Sequence, residues 1–249
     1  VQVHASVDST NTRVLDQLRQ QPRPLLMVAE QQTQGRGRNG RAWQSRAGDS
    51  LTFSLGLPFD PPDWSGLSLA VGVALADALD PAGSGALALK WPNDLWLRDG
   101  VPGQGRKLGG ILVETVGGVA APGRACVVGV GLNVASRPDV QGLSSGYACV
   151  HELDASLDAP AVLARVVPAL AAALLRFGRE GLAPFRPAFA RRDLLAGLPV
   201  NTTLAGVPHG VADGIDASGA LRVRHAAGVA LVSSGEVSVR PQVAMAGAH

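Results

Sequence analysis

GRGRNGRAW, residues 35 to 43, sets three glycines among three arginines and closes on a tryptophan. Gly35, Gly37 and Gly40 satisfy the GxGxxG spacing of a dinucleotide-binding turn, which would make the chain a doubly wound parallel α/β protein. That fingerprint needs the glycines to open a helix, with a carboxylate about 20 residues further on. Here RAWQSRAGDS follows, which reads as loop, and Asp60 lies within PFDPPDW rather than at a strand end. The doubly wound reading fails on context. An RNA-binding RGG segment is a second reading, because Arg36, Arg38, Arg41 and Arg46 lie in a stretch without an acidic residue between Glu30 and Asp49. Such segments are repetitive and interleaved with aromatics, whereas this one occurs once between strands. The third reading is a bounded loop that orders over a small anionic ligand. Its glycines give freedom to move, its arginines grip phosphate oxygens in bidentate fashion, and Trp43 offers an apolar face.

Length and composition fit a folded protein of one large domain, or of a main domain with a small appendage. The 249 residues are 46% apolar and 17% charged, which provides a core and argues against disorder. No unbroken apolar run approaches the roughly 18 residues of a membrane span, and VQVHASVDSTN lacks the pattern of a secretory signal. Cys126 and Cys149 have no metal-ligand spacing and read as reduced thiols of a cytoplasmic protein. The net charge of +2 does not imply nucleic acid. Lys90 and Lys107 are the only lysines among 22 basic residues, so the chain keeps a compact ammonium at two places and writes guanidinium everywhere else.

Working outward from the loop, DSTN (8 to 11) opens a short helix that stops before Pro22. PLLMVAE (24 to 30) reads as a strand buried on both faces, and SLTFSLGLP (50 to 58) as another buried strand. Residues 64 to 79 have helical apolar spacing. ALALKW (86 to 91) is a strand, and KLGGILVETV (107 to 116) and ACVVGVGLNV (125 to 134) form a strand pair. A helix from Pro160 to Phe177 is expected to kink or break at Pro168, and a second short helix ends near Leu195. From residue 196 the chain turns to short alternating β segments separated by Gly and Asp-Ala-Ser-Gly turns. The expected organisation is an α+β body over 1–195 followed by a small β domain over 196–249.

Three further stretches carry chemistry. In KWPNDLW (90 to 96), Lys90 ends a strand and Pro92 forces a turn that aims Asn93 and Asp94 outward. In KLGGILVE (107 to 114), Lys107 precedes Gly109-Gly110, where a backbone can approach a ligand closely. In VGVGLNV (128 to 134), Asn133 sits in an apolar run, where an unpaired amide would cost about 1–3 kcal/mol, so it requires a partner.

Taken in order, AEQQTQGRGRNGRAW, KWPNDLW, KLGGILVE and VGVGLNV resemble the biotin–protein ligase family, with DSTN near the start and GEVSVR near the end. The resemblance implies an α+β catalytic domain of the class II aminoacyl-tRNA synthetase and biotin synthetase type, followed by a small SH3-like β-barrel. It implies formation of biotinyl-5′-AMP from biotin and ATP, with Mg²⁺, and transfer of biotin to a lysine of a biotin carboxyl carrier protein. By resemblance, Ser9, Thr10, Asn11 and Gln32 line the biotin end, the first three doubling as a helix cap. Gly35, Arg36, Gly37 and Arg38 form the loop over biotin and the adenylate phosphate. Lys107 stands beside the biotin carboxylate and α-phosphate, and Asp94 at the acceptor-lysine entrance as orienting group, proton acceptor or Mg²⁺ contact. Gly110, Ile111, Gly131 and Asn133 surround the biotin chain and nucleotide. Trp43, Lys90, Asn93, Tyr147 and Arg240 fall on the ATP side, Lys90 being equally explained by a structural ion pair and Tyr147 by ordinary half-burial. No separate protein metal site is expected. DSTN at residue 8 leaves no room for the DNA-binding domain of some members, so no DNA partner and no membrane partner are expected, and a homodimer is possible. Asn39 stands where arginine is common, and RDGVPGQGR (98 to 106) is longer than usual, a candidate hairpin tip. Lipoate–protein ligase, a ligase fold that binds without catalysis, and a nucleic-acid-binding module are the alternatives.

Overall fold

The computed structural model describes residues 1–117, 123–137, 145–233 and 239–241, the last three as backbone. Two sheets organise the chain. The larger has the strand order β1-β2-β3-β7-β6-β5-β4. Its strands are β1 (Gln2–Val7), β2 (Leu25–Gln32), β3 (Ser50–Pro58), β4 (Leu87–Lys90), β5 (Asp94–Arg98), β6 (Gly105–Val116) and β7 (Ala125–Asn133). β1 and β2 pair in parallel and every other neighbour pair is antiparallel. The parallel pair needs a crossover, and α1 (Thr10–Gln20) supplies it.

Helices cover both faces. Val14, Leu15 and Leu18 of α1 pack on Met27, Ala125 and Val127. On the other face α2 (Leu67–Leu79) and α3 (Ala159–Glu180) join the main core with Phe53, Leu108, Val128 and Val130. β7 is therefore buried at every position, whereas β2 is buried only at Met27, Val28 and Ala29, its ends lying at the rim. The expectation that β2 is buried throughout is thus met only at its centre. β1 and β5 escape sequence reading: β1 is an edge strand with Val3 exposed, and β5 begins within the stretch where Pro92 predicts a turn.

α3 does not break at Pro168. It runs 22 residues, because Pro168 and Ala164 face solvent, where water can satisfy the carbonyl that a proline leaves unbonded. α3 is also long and apolar enough to cross a membrane by length and composition. Its buried stripe, Val162, Val166, Leu170, Ala173, Leu174 and Phe177, instead has the spacing of a core helix and joins the α2 core. α4 (Arg186–Arg192) follows. Its Arg192 donates to Asp80 Oδ2 at 3.0 Å and to the Leu87 carbonyl at 3.3 Å, tying α4 to α2 and β4.

The second sheet, ordered β11-β10-β9-β8-β12, contains β8 (Pro199–Thr202), β9 (His209–Ile215), β10 (Leu221–His225), β11 (Gly228–Val232) and β12 (Val239–Pro241). It is antiparallel throughout. Its Val200, Ala212, Leu221 and Val223 continue the main core, and the Trp91 indole donates to the Gly219 carbonyl at 3.0 Å. Both cysteines are buried and free. Burial pushes the Cys126 thiol up to about 12 and also raises Cys149, so both stay protonated.

Candidate active site

The floor of the site follows from the two-residue period of three strands. β3 turns Ser50, Thr52 and Ser54 to the α1 face, directly opposite Asn133, Gly131 and Gly129 of β7. β6 continues the row, with Gly110 opposite Gly131 and Leu112 opposite Gly129. Polar and glycine positions thus share one face, and the apolar ones, Leu51, Phe53 and Val130, go to the core. The glycines are required by space. A methyl on Gly129 would run into Asn11 Oδ1, and one on Gly131 into the Trp43 ring. Above this floor lies a cavity of about 1140 Å³, walled by the N-terminus of α1, the glycine-arginine loop, the β4–β5 turn and residues 145–147.

At one end, Ser9 caps α1 with extended backbone and its Oγ 3.5 Å from Thr12 N. Thr10 N donates to Gln32 Oε1 at 2.7 Å, and Ser54 Oγ lies 2.7 Å from Thr10 Oγ1 and 2.5 Å from Asn11 Oδ1. Asn11 Nδ2 donates to Glu114 Oε2 at 2.8 Å and to the Leu112 carbonyl. This end is a ring of buried hydroxyls and amides that fix one another's orientation.

The loop is a small hairpin. Gly37 N donates to Arg41 O at 2.7 Å and Trp43 N to Gly35 O at 2.8 Å. At its tip Asn39 (φ 55, ψ 36) and Gly40 (φ 70) are both left-handed, the pair that a type I′ turn needs, with Arg41 N donating to Arg38 O. Asparagine tolerates that conformation better than arginine, which gives Asn39 a role of its own. Arg36 is bound to both oxygens of Glu114, at 3.0 and 3.1 Å. Arg38 donates to Asn93 Oδ1 at 3.3 Å. Burial lowers its pKa, opposed by the Asp94 charge, and it remains a cation.

In the middle, Lys107 Nζ sits 2.7 Å from Asp94 Oδ1 and 5.9 Å from the centre of the Trp43 ring. Both side chains are partly exposed to the cavity, 26% and 19%. The β4–β5 turn presents Asn93 and Asp94, and Asn93 Nδ2 is bound to the Ile111 carbonyl at 2.8 Å. Lys90 caps the Trp96 ring at 4.9 Å. Asn133 finds its required partners, donating to Ala148 O at 2.9 Å and Lys107 O at 3.2 Å. Tyr147 bonds the Ala135 carbonyl through its hydroxyl at 2.8 Å and is one of the cavity's lining residues.

Comparison with known proteins decides the family. The model of the "Biotin/lipoate A/B protein ligase family" matches residues 3–133, and that of the "Biotin protein ligase C terminal domain" matches 197–240. The chain belongs to the biotin/lipoate A/B protein ligase family. It is 34% identical over 245 residues to the biotin–[acetyl-CoA-carboxylase] ligase of Paracoccus denitrificans, covering 94% of this chain and 98% of the relative. It is also 34% identical to the bifunctional ligase/repressor BirA of Escherichia coli, covering 94% of this chain and 72% of that one. The biotin protein ligase of Aquifex aeolicus, solved with biotin and ATP, superposes with a TM-score of 0.80 at 27% identity over 96% of this chain and 98% of the other.

In this ligase the cavity gathers Ser9, Thr10, Asn11, Gln32, Arg36, Gly37, Arg38, Trp43, Lys90, Asn93, Asp94, Lys107, Gly110, Ile111, Gly131, Asn133 and Tyr147 along its lining. Gly35 stands just behind, where a methyl would meet the Trp43 carbonyl and the Gln32 side chain. Arg240 contributes backbone to β12 opposite Asn201, and its side chain lies outside the described residues, as do Ser144 and residues 235–238 of the two end motifs. Ser54, Glu114 and Arg137 are among the participants that escape sequence reading. Ser54 was legible in the Ser-x-Thr-x-Ser alternation of β3. Glu114 ends the KLGGILVE motif but had no visible partner. Arg137 lines the cavity beside Asp49, with no motif to mark it.

Proposed function

We propose that this ligase activates biotin with ATP as biotinyl-5′-AMP and passes the acyl group to a lysine of a biotin carboxyl carrier protein. The single observation that supports it most is Lys107 paired with Asp94 above Gly110, between the polar ring around Asn11 and the Tyr147 wall. In the first step a biotin carboxylate oxygen attacks the α-phosphorus, a Pα–O bond forms, the bond to the β-phosphate breaks and pyrophosphate leaves. Negative charge gathers on the transferring phosphate, and a fixed ammonium there acts where the charge develops. In the second step the carrier amine attacks the acyl carbon, AMP leaves, and the amine gives up a proton. Asp94 is the carboxylate we assign to orient that amine or take its proton. The hairpin loop, with Arg36, Arg38 and Trp43, holds the mixed anhydride away from water.

Mg²⁺ fits this site as an ion carried on the phosphates of ATP. Among the described residues no three His, Cys, Asp or Glu side chains gather as a metal site, and Asp94 and Glu114 are already paired with Lys107 and Arg36. Mg²⁺ binds nucleotides in this manner, keeping several waters and one or two carboxylates. The reading places the enzyme in the cytoplasm and residues 196–249 as a separate β domain. Lipoate as substrate is the second reading, and the match of residues 197–240 to the biotin protein ligase C-terminal domain favours biotin. ATP–pyrophosphate exchange with biotin, with lipoate and with no acid tests both. Exchange dependent on biotin supports the proposal. Exchange with lipoate alone replaces the substrate, and none with either rejects the activity.

A further inference from the structure

Arg106 precedes Lys107 on β6, so its side chain leaves the opposite side of the strand and does not line the cavity. Its guanidinium is nevertheless bonded on every nitrogen. Its Nε donates to Asp99 Oδ1 at 2.9 Å, its Nη1 to the Tyr147 carbonyl at 3.1 Å, and its two Nη atoms to the two oxygens of Glu152 at 3.1 and 2.8 Å. The hydrogen bonds to Glu152 and Asp99 hold the guanidinium strongly in its charged form. Glu152 in turn accepts from Cys149 N at 3.0 Å. One planar fork therefore joins the β5–β6 hairpin, through Asp99, to the chain from 147 to 152.

The stem packs as well as the head. Gly146 is left-handed (φ 62), and a methyl there would stand 2.6 Å from Arg106 Cγ. The stem thus fills the space behind Gly146. On the strand side, Lys107 N donates to Ser145 O at 3.1 Å and Ala148 N to Lys107 O at 3.0 Å. Residues 145–147 are cavity wall, held by Lys107 through its backbone and by Arg106 through its side chain.

We propose that Arg106 is a positioning residue that sets the Tyr147 wall, and through it the affinity for the adenine nucleotide, without touching either substrate. This rests on the reading above that Tyr147 faces the nucleotide. Lysine cannot replace it, because one ammonium cannot span Asp99, Tyr147 O and both Glu152 oxygens with fixed fork geometry. The polar ring around Asn11 shares no partner with Arg106, so the biotin end is left unaffected.

The test compares Arg106→Met, which keeps the stem, Arg106→Lys, which keeps the charge, and Glu152→Gln, which keeps an acceptor for Cys149 N. Each is read by KM for ATP and for biotin in pyrophosphate exchange, by binding of a non-hydrolysable ATP analogue, and by thermal melting. Arg106→Met is expected to raise KM for ATP and weaken the analogue by about tenfold, the scale of losing a charge-assisted network. KM for biotin stays within about twofold, and Arg106→Lys and Glu152→Gln fall between. Equal effects on both substrates, or unchanged analogue binding in a folded variant, overturn the proposal. If the wild type shows no biotin-dependent exchange yet the variants still lose analogue affinity, the activity assignment fails and the positioning role stands.

Discussion

Lys107 and Asp94 face each other at 2.7 Å across the β5–β6 pair, each partly open to the cavity and neither fully desolvated. Their strands are joined by a register shift between Leu95 and Trp96, which pairs Lys107 with Trp96 and Asp94 with Gly110. Gly110 lies beneath both side chains, a Cβ there standing 3.4 Å from Lys107 Nζ and from Asp94 Oδ1. A cation held by one carboxylate, with an open side, is ready to meet a second anion without moving far.

Lys107→Ala is expected to lower the rate of adenylate formation by at least about tenfold, equivalent to about 1.4 kcal/mol of transition-state stabilisation. The substitution also leaves Asp94 without its partner, so the pair Lys107→Ala with Asp94→Asn separates charge repair from chemistry. Single-turnover formation of the adenylate is the readout. Adenylation by Lys107→Ala at the wild-type rate would remove the lysine from the mechanism.

Gly129→Ala and Gly131→Ala test the bare floor. Neither glycine has a positive φ, so the cost of a methyl is spatial, at Asn11 in one case and at the Trp43 ring in the other. Overpacking of this kind costs about 1–3 kcal/mol. Gly129→Ala should weaken biotin more than ATP, because it displaces the Asn11 amide, and Gly131→Ala should disturb the loop through Trp43. Separate titrations with biotin and with an ATP analogue check this. An unchanged biotin affinity in Gly129→Ala would contradict the placement of biotin beside Asn11.

What the sequence discloses differs by element. β7 and β6 are plain in KLGGILVETV and ACVVGVGLNV because long apolar runs and paired glycines are local signals. Asn133 could be marked as needing a partner, since burial of an amide has a fixed cost, but Lys107 O and Ala148 O as its partners depend on β6 meeting residues 145–148. Glu114 illustrates the same limit. Its bonds to Asn11 and Arg36 span 103 and 78 residues of chain, which no local pattern encodes. The hairpin turn at Asn39-Gly40 is legible, as Asn-Gly is the strongest short hairpin signal, and its left-handed Asn39 bears out that local code.

Arg38→Gly probes the loop. The Arg38 side chain reaches Asn93 across the cavity, whereas the hairpin itself is held by backbone bonds between Gly37 and Arg41 and between Gly35 and Trp43. The variant should fold normally and form adenylate, but release it early. The measured quantity is the fraction of adenylate retained by the enzyme after rapid gel filtration. Retention equal to the wild type would show that Arg38 does not hold the intermediate.

Asp193 offers a test by pH away from the site. The residue is 6% exposed, with Oδ1 accepting from Leu195 N at 2.9 Å and Oδ2 buried without a hydrogen-bond partner. Burial raises its pKa above the ordinary 3.8, opposed by the Leu195 amide and by the charge of Arg98. A carboxyl with a raised folded pKa binds its proton more tightly in the native state. Its contribution to stability is therefore complete below the unfolded value and is lost as pH rises through the folded one. Asparagine cannot titrate, so the melting temperature of Asp193→Asn should gain on the wild type as pH rises from about 3 to about 7. The absolute difference includes the new amide hydrogens and is not decisive, but its slope with pH is. A flat or opposite slope would mean that the ionised carboxylate is stabilised in the fold, with Arg98 outweighing burial.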